Sequence, residues 1–259
     1  MLPFKRILFP VDFSGPSVGA ARYVEAFAGR FDADLTLLHV DWPQYNDPLP
    51  SGPGDKRDHL DKFLTKEFEY FRVRRSVVKG EPAAMILEVA RTEHSDLIMM
   101  PTLGMGGFRR FLLGSVTAKI LHDADCPVWT GVHLENAPPL DKIEFHNILC
   151  AVNLDVYARK VLQGAYELAE EYRAGLTVVH VTGDSHARSE VEEMLRAVKI
   201  KASVVVENGE VSQVVAQVAA RIRADLLVIG RSPAPGIFGR LRTHAYPIIR
   251  QSPCPVISL

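Results

Sequence analysis

Short runs of consecutive apolar residues alternate along the chain with longer stretches in which apolar residues recur every three or four positions. Arg6–Val11, Leu35–Val40, Phe71–Val78, Asp96–Met100 and Pro127–Gly131 are runs of the first kind. Asp225-Leu226-Leu227-Val228-Ile229 shows the pattern plainly, apolar at successive positions and not at alternate ones. Strands buried on both faces read this way, and they belong to parallel sheets covered by helices. Between the runs, Pro16–Arg30 predicts a helix. So does the segment opened by Pro82, where Met85, Ile86, Val89 and Ala90 share one face, and so does Ser115–His122. Further on, Val161, Leu162, Ala165, Leu168, Ala169 and Tyr172 make one apolar stripe, and Val211, Val214, Val215, Val218 and Ile222 make another. Alternating strands and helices of this kind imply a doubly wound, Rossmann-like α/β fold.

The pattern is written twice. Phe4-Lys5-Arg6-Ile7-Leu8-Phe9-Pro10-Val11-Asp12 reappears as Phe145-His146-Asn147-Ile148-Leu149-Cys150-Ala151-Val152-Asn153, and Thr36–Val40 reappears at the same offset as Thr177–Val181. Later landmarks, Gly80-Glu81 with Gly209-Glu210 and Asp96 with Asp225, share a smaller offset. The first copy therefore carries a dozen additional residues after its second strand, within Asp41–Gly54. That segment holds Pro43, Pro48, Pro50, Pro53, Gly52 and Gly54 and reads as a loop. A repeat of this length is a whole domain, not a solenoid unit. The expectation for the 259 residues is two tandem doubly wound domains, each with a mostly parallel five-stranded sheet and helices on both faces. They span 1–132 and 146–259, joined by a linker at 133–145 that contains Pro138-Pro139.

Charge narrows the partners. Thirty basic against 31 acidic residues leave a net charge of −1, which makes no electrostatic case for nucleic acid or for an acidic membrane surface. No stretch approaches the ~20 apolar residues of a membrane helix. Three cysteines cannot close a disulfide framework, so a reducing, cytoplasmic setting is expected. Cys126 and Cys254 fall at matching places and read as small buried apolar side chains. The nine histidines include no His-x-His or His-Glu-x-x-His, which leaves a protein-only zinc site without support. His39 and His180 occupy equivalent strand ends, which points to a structural role. Glu81 and Glu210 each follow a glycine and read as helix caps.

One segment carries candidate chemistry. After the fourth strand the first copy runs Met100-Pro101-Thr102-Leu103-Gly104-Met105-Gly106-Gly107-Phe108-Arg109-Arg110-Phe111-Leu112-Leu113-Gly114-Ser115-Val116-Thr117, with a helix beginning near Ser115. A helix N-terminus offers unpaired N–H groups and a positive dipole end. Gly114 lets an anion approach the backbone, the Ser115 and Thr117 hydroxyls can donate, and Arg109 and Arg110 can add charge. On spacing alone the segment reads equally as a phosphate cradle and as a flexible loop whose following helix is N-capped by Ser115. There is no Gly-x-x-x-x-Gly-Lys-[Ser/Thr], and Arg109 stands where Gly-x-Gly-x-x-Gly needs its third glycine.

Taken in order, Pro10-Val11-Asp12-Phe13-Ser14, Leu37-Leu38-His39-Val40, Gly104-x9-Gly114-Ser115 and Cys126-Pro127-Val128 resemble the universal stress proteins, in their tandem form with two such domains in one chain. The resemblance covers nearly the whole sequence. It implies an ATP-binding site in the first copy made by Val11, Asp12, Val40, Met100, Thr102, Gly104, Gly114, Ser115, Val116 and Thr117. In that site Asp12 and Val40 would meet the adenine–ribose end, and Gly114–Thr117 the phosphates. Mg²⁺ or Mn²⁺ would accompany the nucleotide. Pro101 replaces the family's first loop glycine, and a residue with no N–H and with φ locked by its ring is expected to weaken the site. The second copy departs further, with Asn153 for Asp12 and Arg242-Thr243 for Gly114-Ser115, and is expected to be structural or regulatory. The implied function is that of a cytoplasmic stress-response or signalling protein, at most a slow ATPase. The other reading is a nucleotide-free scaffold. Either allows self-association, as an internal pseudo-dimer or a homodimer, and the sequence names no protein partner.

Overall fold

In the first half the apolar runs become strands and the striped segments become helices, in strict alternation. The order is β1 (Arg6–Pro10), α1 (Gly15–Phe31), β2 (Asp34–Asp41), α2 (Asp55–Lys62), β3 (Val73–Lys79), α3 (Pro82–Thr92), β4 (Leu97–Pro101), α4 (Ser115–Asp123) and β5 (Val128–Gly131). The computed structural model describes residues 4–42, 55–102, 113–132, 134, 137–231 and 245–259. Most of the proline-rich segment predicted as a loop, and the stretch holding Gly104, Arg109 and Arg110, lie outside the described residues. The strands pair in parallel in the order β3-β2-β1-β4-β5. Leu8, Phe9, Leu37, Leu38 and Met99 are wholly buried in the sheet, as strands covered on both faces must be.

The second half repeats the scheme. It runs β6 (Asn147–Ala151), α5 (Ala158–Tyr172), β7 (Gly175–Val181), α6 (Ala187–Ala197), β8 (Ser203–Glu207), α7 (Val211–Arg221), β9 (Leu226–Ile229), α8 (Ala245–Gln251) and β10 (Val256–Ser258). Its strands pair in parallel in the order β8-β7-β6-β9-β10. The predicted α/β class and sheet size hold in each half. The first offset of the repeat extends to the helix ends: α1 stops at Asp32 and α5 at Arg173, equivalent residues that are both in the left-handed conformation.

Two helices have no counterpart in the sequence reading. In α2 the side chain of Leu60 is wholly buried, while its neighbours are polar. The helix is held from β3, where Arg75 donates to the carbonyls of Leu60 and Phe63, each at 3.1 Å. In α6, Ala187, Val191 and Leu195 face the core among charged residues. Both helices are fixed by what lies beneath them more than by their own pattern.

The division between the compact units falls between Ile143 and Glu144. Much of the predicted linker packs on the first half. Arg22 donates to the carbonyls of Ala137 and Pro138, and a single 3-10 turn at Leu140–Lys142 lies along α1.

The central seam of each half is clamped at its lower end by an aspartate. Asp96 accepts from the backbone of Lys5 at 3.1 Å and Arg6 at 3.0 Å, and Asp225 accepts from His146 and Asn147, each at 2.8 Å. Above the clamps the halves differ. β1 pairs with β4 only at Ile7↔Leu97 and Leu8↔Ile98. β6 pairs with β9 from Ile148↔Leu226 up to Ala151↔Ile229.

Candidate functional site

A chain that builds β1, β2 and β3 outward and then returns to place β4 on the other side of β1 creates a switch point at their C-terminal ends. In the first half that point is flanked by the turn after β1 and by the start of α4.

The turn after β1 is organised by Asp12. Its Oδ1 accepts from the Ser14 backbone N–H at 3.1 Å, the Ser14 hydroxyl at 2.5 Å and the Ser17 hydroxyl at 2.6 Å. Ser14 is in turn the N-cap of α1, accepting from the Ser17 N–H. Between them Phe13 is left-handed, with φ 60°, a conformation that costs a non-glycine residue roughly 1–2 kcal/mol. Aromatic packing holds it there. The Phe13 ring centroid lies 4.5 Å from His39, 4.4 Å from His59 and 5.1 Å from Phe63. Sequence reasoning singled out Asp12 but missed Ser17 and Phe13. The Asp-x-Ser-x-x-Ser spacing ahead of a helix was the available signal.

His39 is buried, with Nδ1 3.0 Å from the Val11 carbonyl, and His180 stands in the same relation to Val152 at 2.9 Å. The same bond in both halves is the structural role expected of this pair. Val40, half-buried at the end of β2, pairs with Val78.

The other flank is docked by backbone and hydroxyl bonds. Thr102 donates to the Gly131 carbonyl through its N–H at 3.0 Å and through its hydroxyl at 2.9 Å. The Gly114 N–H donates to the Thr102 carbonyl at 2.9 Å, and the Thr117 hydroxyl donates to the Pro101 carbonyl at 3.1 Å. Met100, Thr102 and Thr117 are buried, Val116 is half-buried and Ser115 is exposed. The Thr117 hydroxyl, expected to face a phosphate, is here turned inward to the Pro101 carbonyl. Ser115 is not the N-cap either. Gly114 is, with φ −61° and ψ 147°, and among the described residues no side chain caps α4. Glu81 and Glu210, by contrast, cap α3 and α7 as expected, each accepting two backbone N–H groups.

Gly114 has no conformational reason to be glycine. Among the described residues, a Cβ there would meet the Thr102 carbonyl oxygen at 3.4 Å and the Thr117 Oγ1 at 3.8 Å, ordinary contacts. The structure thus brings Val11 and Asp12 to one side of the switch point and Met100, Thr102 and Gly114–Thr117 to the other. Gly104 lies outside the described residues.

In the second half Asn153 is exposed and α5 starts two positions later than the repeat predicts, at Ala158, with no side-chain cap. A small cleft at the same end of the sheet is walled by Val152, Val161, Val179, Val215, Ile229 and Ile248. Arg242 and Thr243 lie outside the described residues. Burial pushes the Cys254 thiol up to about 11, whereas Cys126 is only half-buried, a correction to its predicted burial. Among the described residues no cluster of three or more His, Cys, Asp or Glu side chains could hold a metal, and no helix is long and apolar enough to cross a membrane.

Comparison with known proteins agrees with the geometry. The profile of the Universal stress protein family matches residues 3–130 and 183–258, and the chain belongs to that family. A universal stress protein of Methanocaldococcus jannaschii is 30% identical over 139 residues, covering 48% of this chain and 80% of that one. One from Thermus aquaticus is 30% identical over 137 residues, covering 48% and 96%. Each aligns with about half of this chain, as a duplicated sequence requires. The crystal structure of a universal stress protein from Archaeoglobus fulgidus superimposes along the whole chain, with a TM-score of 0.78, 21% identity and coverage of 100% and 97%.

Proposed function

We propose that the first half binds ATP at the switch point, with the phosphates on the N-terminus of α4 and the adenosine toward Asp12 and Val40. The observation that supports this best is Gly114. It is the N-cap of α4 and has no side chain to cap with, and neither its φ nor its contacts with the described residues call for a glycine. A bare backbone beside unpaired N–H groups suits a phosphate. The Ser115 and Val116 N–H groups belong to that first turn, and the exposed Ser115 hydroxyl is available to join them. Mg²⁺ or Mn²⁺ would be held mainly by the nucleotide's own oxygens.

The same geometry favours binding over turnover. Asp12 has three donors on one carboxylate oxygen, which suits it to holding the turn more than to abstracting a proton. The Thr102 and Thr117 hydroxyls are spent on carbonyls. In this reading the protein is a cytoplasmic stress or signalling component whose ATP-bound and ATP-free states differ in affinity for a partner. The second half supports the first. Denaturing the purified protein and assaying the supernatant for ATP or AMP, followed by thermal shift with Mg-ATP, tests this. Co-purified nucleotide or a shift supports it; neither, at millimolar ATP, rules it out.

A further inference from the structure

The two halves differ most at the upper end of the central seam, and two prolines account for it. Alternate residues of a parallel strand donate to the same neighbour. Val11 donates to Leu38 of β2, so the nitrogen of Pro10 faces β4. Ile98 and Thr102 donate toward β5, to Pro127 and Gly131, so the nitrogen of Pro101 faces β1. The next two rungs of the β1–β4 ladder would be Pro10 N–H to the Met99 carbonyl and Pro101 N–H to the Pro10 carbonyl. Neither donor exists, and pairing ends at Leu8↔Ile98. In the second half Ala151 and Gly230 occupy those positions, both have N–H groups, and pairing runs to Ala151↔Ile229.

The neighbouring helix is matched to each arrangement. A Cβ on Gly230 would come within 2.7 Å of Val161 Cγ2, on α5. The position of α1 that corresponds to Val161 is Ala20, which is wholly buried. A small residue on the helix thus accompanies the proline, and a large one accompanies the glycine.

We propose that Pro10 and Pro101 are positioning residues that hold the β1–β4 seam open at the switch point, leaving the Pro10 carbonyl, at the end of β1, to accept a hydrogen bond from a nucleotide's N–H or O–H group. A buried carbonyl stripped of its strand partner must find another donor, and the ligand supplies it. This rests on the nucleotide-binding reading above. It also reverses the expected effect of Pro101, which becomes part of the site and not a blemish in it.

The test is the P10A/P101A variant, with P101A alone as a milder change should the double variant fail to fold. Hydrogen exchange followed by NMR reads the restored amides, and calorimetry reads Mg-ATP affinity. In the double variant both new amides should exchange at least a hundredfold more slowly than unstructured ones, and Mg-ATP should bind at least tenfold more weakly than to wild type. P101A alone should show one protected amide and a smaller loss. Unprotected amides would show that the seam does not close without the prolines, and protected amides with unchanged affinity would show that the open seam is not used; either overturns the proposal. A wild-type protein that binds no Mg-ATP sinks the binding reading and the ligand role of the seam with it. The exchange result still reports separately whether the prolines open it.

Discussion

Asp12 and Gly114 contribute by opposite means, one through the bonds it collects and the other through the side chain it lacks. Replacing Asp12 by alanine strands three donors of the turn, two of them hydroxyls, and should cost about 1–3 kcal/mol in urea unfolding. Asp12→Asn, which installs the residue the second half uses, keeps an acceptor and should cost less than half of that. Gly114→Val should abolish Mg-ATP binding in calorimetry while leaving the fold intact, because a Cβ there makes only ordinary contacts with the described residues. Thr243→Val, at the position corresponding to Ser115, should leave binding unchanged. Equal losses would mean that the nucleotide is not confined to the first half. At this scale the sequence was a good guide to which positions matter and a poor one to what they do. Thr117 was legible as a hydroxyl near the helix start, but the Pro101 carbonyl that takes its hydrogen is 16 residues away.

Among elements, the clearest energetic statement concerns the start of α3. Desolvation pushes the Glu81 carboxyl up, but the Ala84 and Ala83 N–H groups and Lys119 outweigh it and hold the group below its ordinary value of 4.5. A carboxylate depressed in the folded state contributes stability that is present above its unfolded value and is lost as pH falls through the folded one. Glu81→Gln, which keeps an acceptor but loses the charge, should therefore lower stability slightly at pH 7. The gap between variant and wild type should close as pH falls below 4.5, read by urea unfolding at several pH values. The cap itself was visible in the sequence, as were the apolar strands. What escaped was α2, since a helix whose apolar anchorage is Leu60 and whose carbonyls are held by Arg75 has no amphipathic stripe to read. Strand ends shifted by a residue or two, as with β3, which starts at Val73 and not at Phe71, because a boundary is set by the neighbour that pairs and not by hydrophobicity.

For the whole molecule, the duplication was legible as two sheets of one topology. The inequality between them was legible only in part. Sequence comparison found it in Asp12 against Asn153 and Gly114-Ser115 against Arg242-Thr243. It missed the seam, because an absent N–H matters only once the direction in which it would point is known. Ligand binding should be equally lopsided. At 100 times its dissociation constant, Mg-ATP should stabilise the protein by about 2.7 kcal/mol. Hydrogen exchange should locate the added protection in residues 3–143, the first compact unit, and leave the second unchanged. Phosphate release should stay far below the ~10 s⁻¹ of a median enzyme.

The pairing of Ala20 with Pro101 and of Val161 with Gly230 has a bearing on how such a chain can change. Gly230→Pro alone drives atoms into Val161, and Val161→Ala alone leaves a void beside Gly230. Each step is harmful until the other is taken, so the two copies sit on separate peaks with a valley between them. A duplicated domain that has crossed to one side is held there by the cost of the intermediate steps.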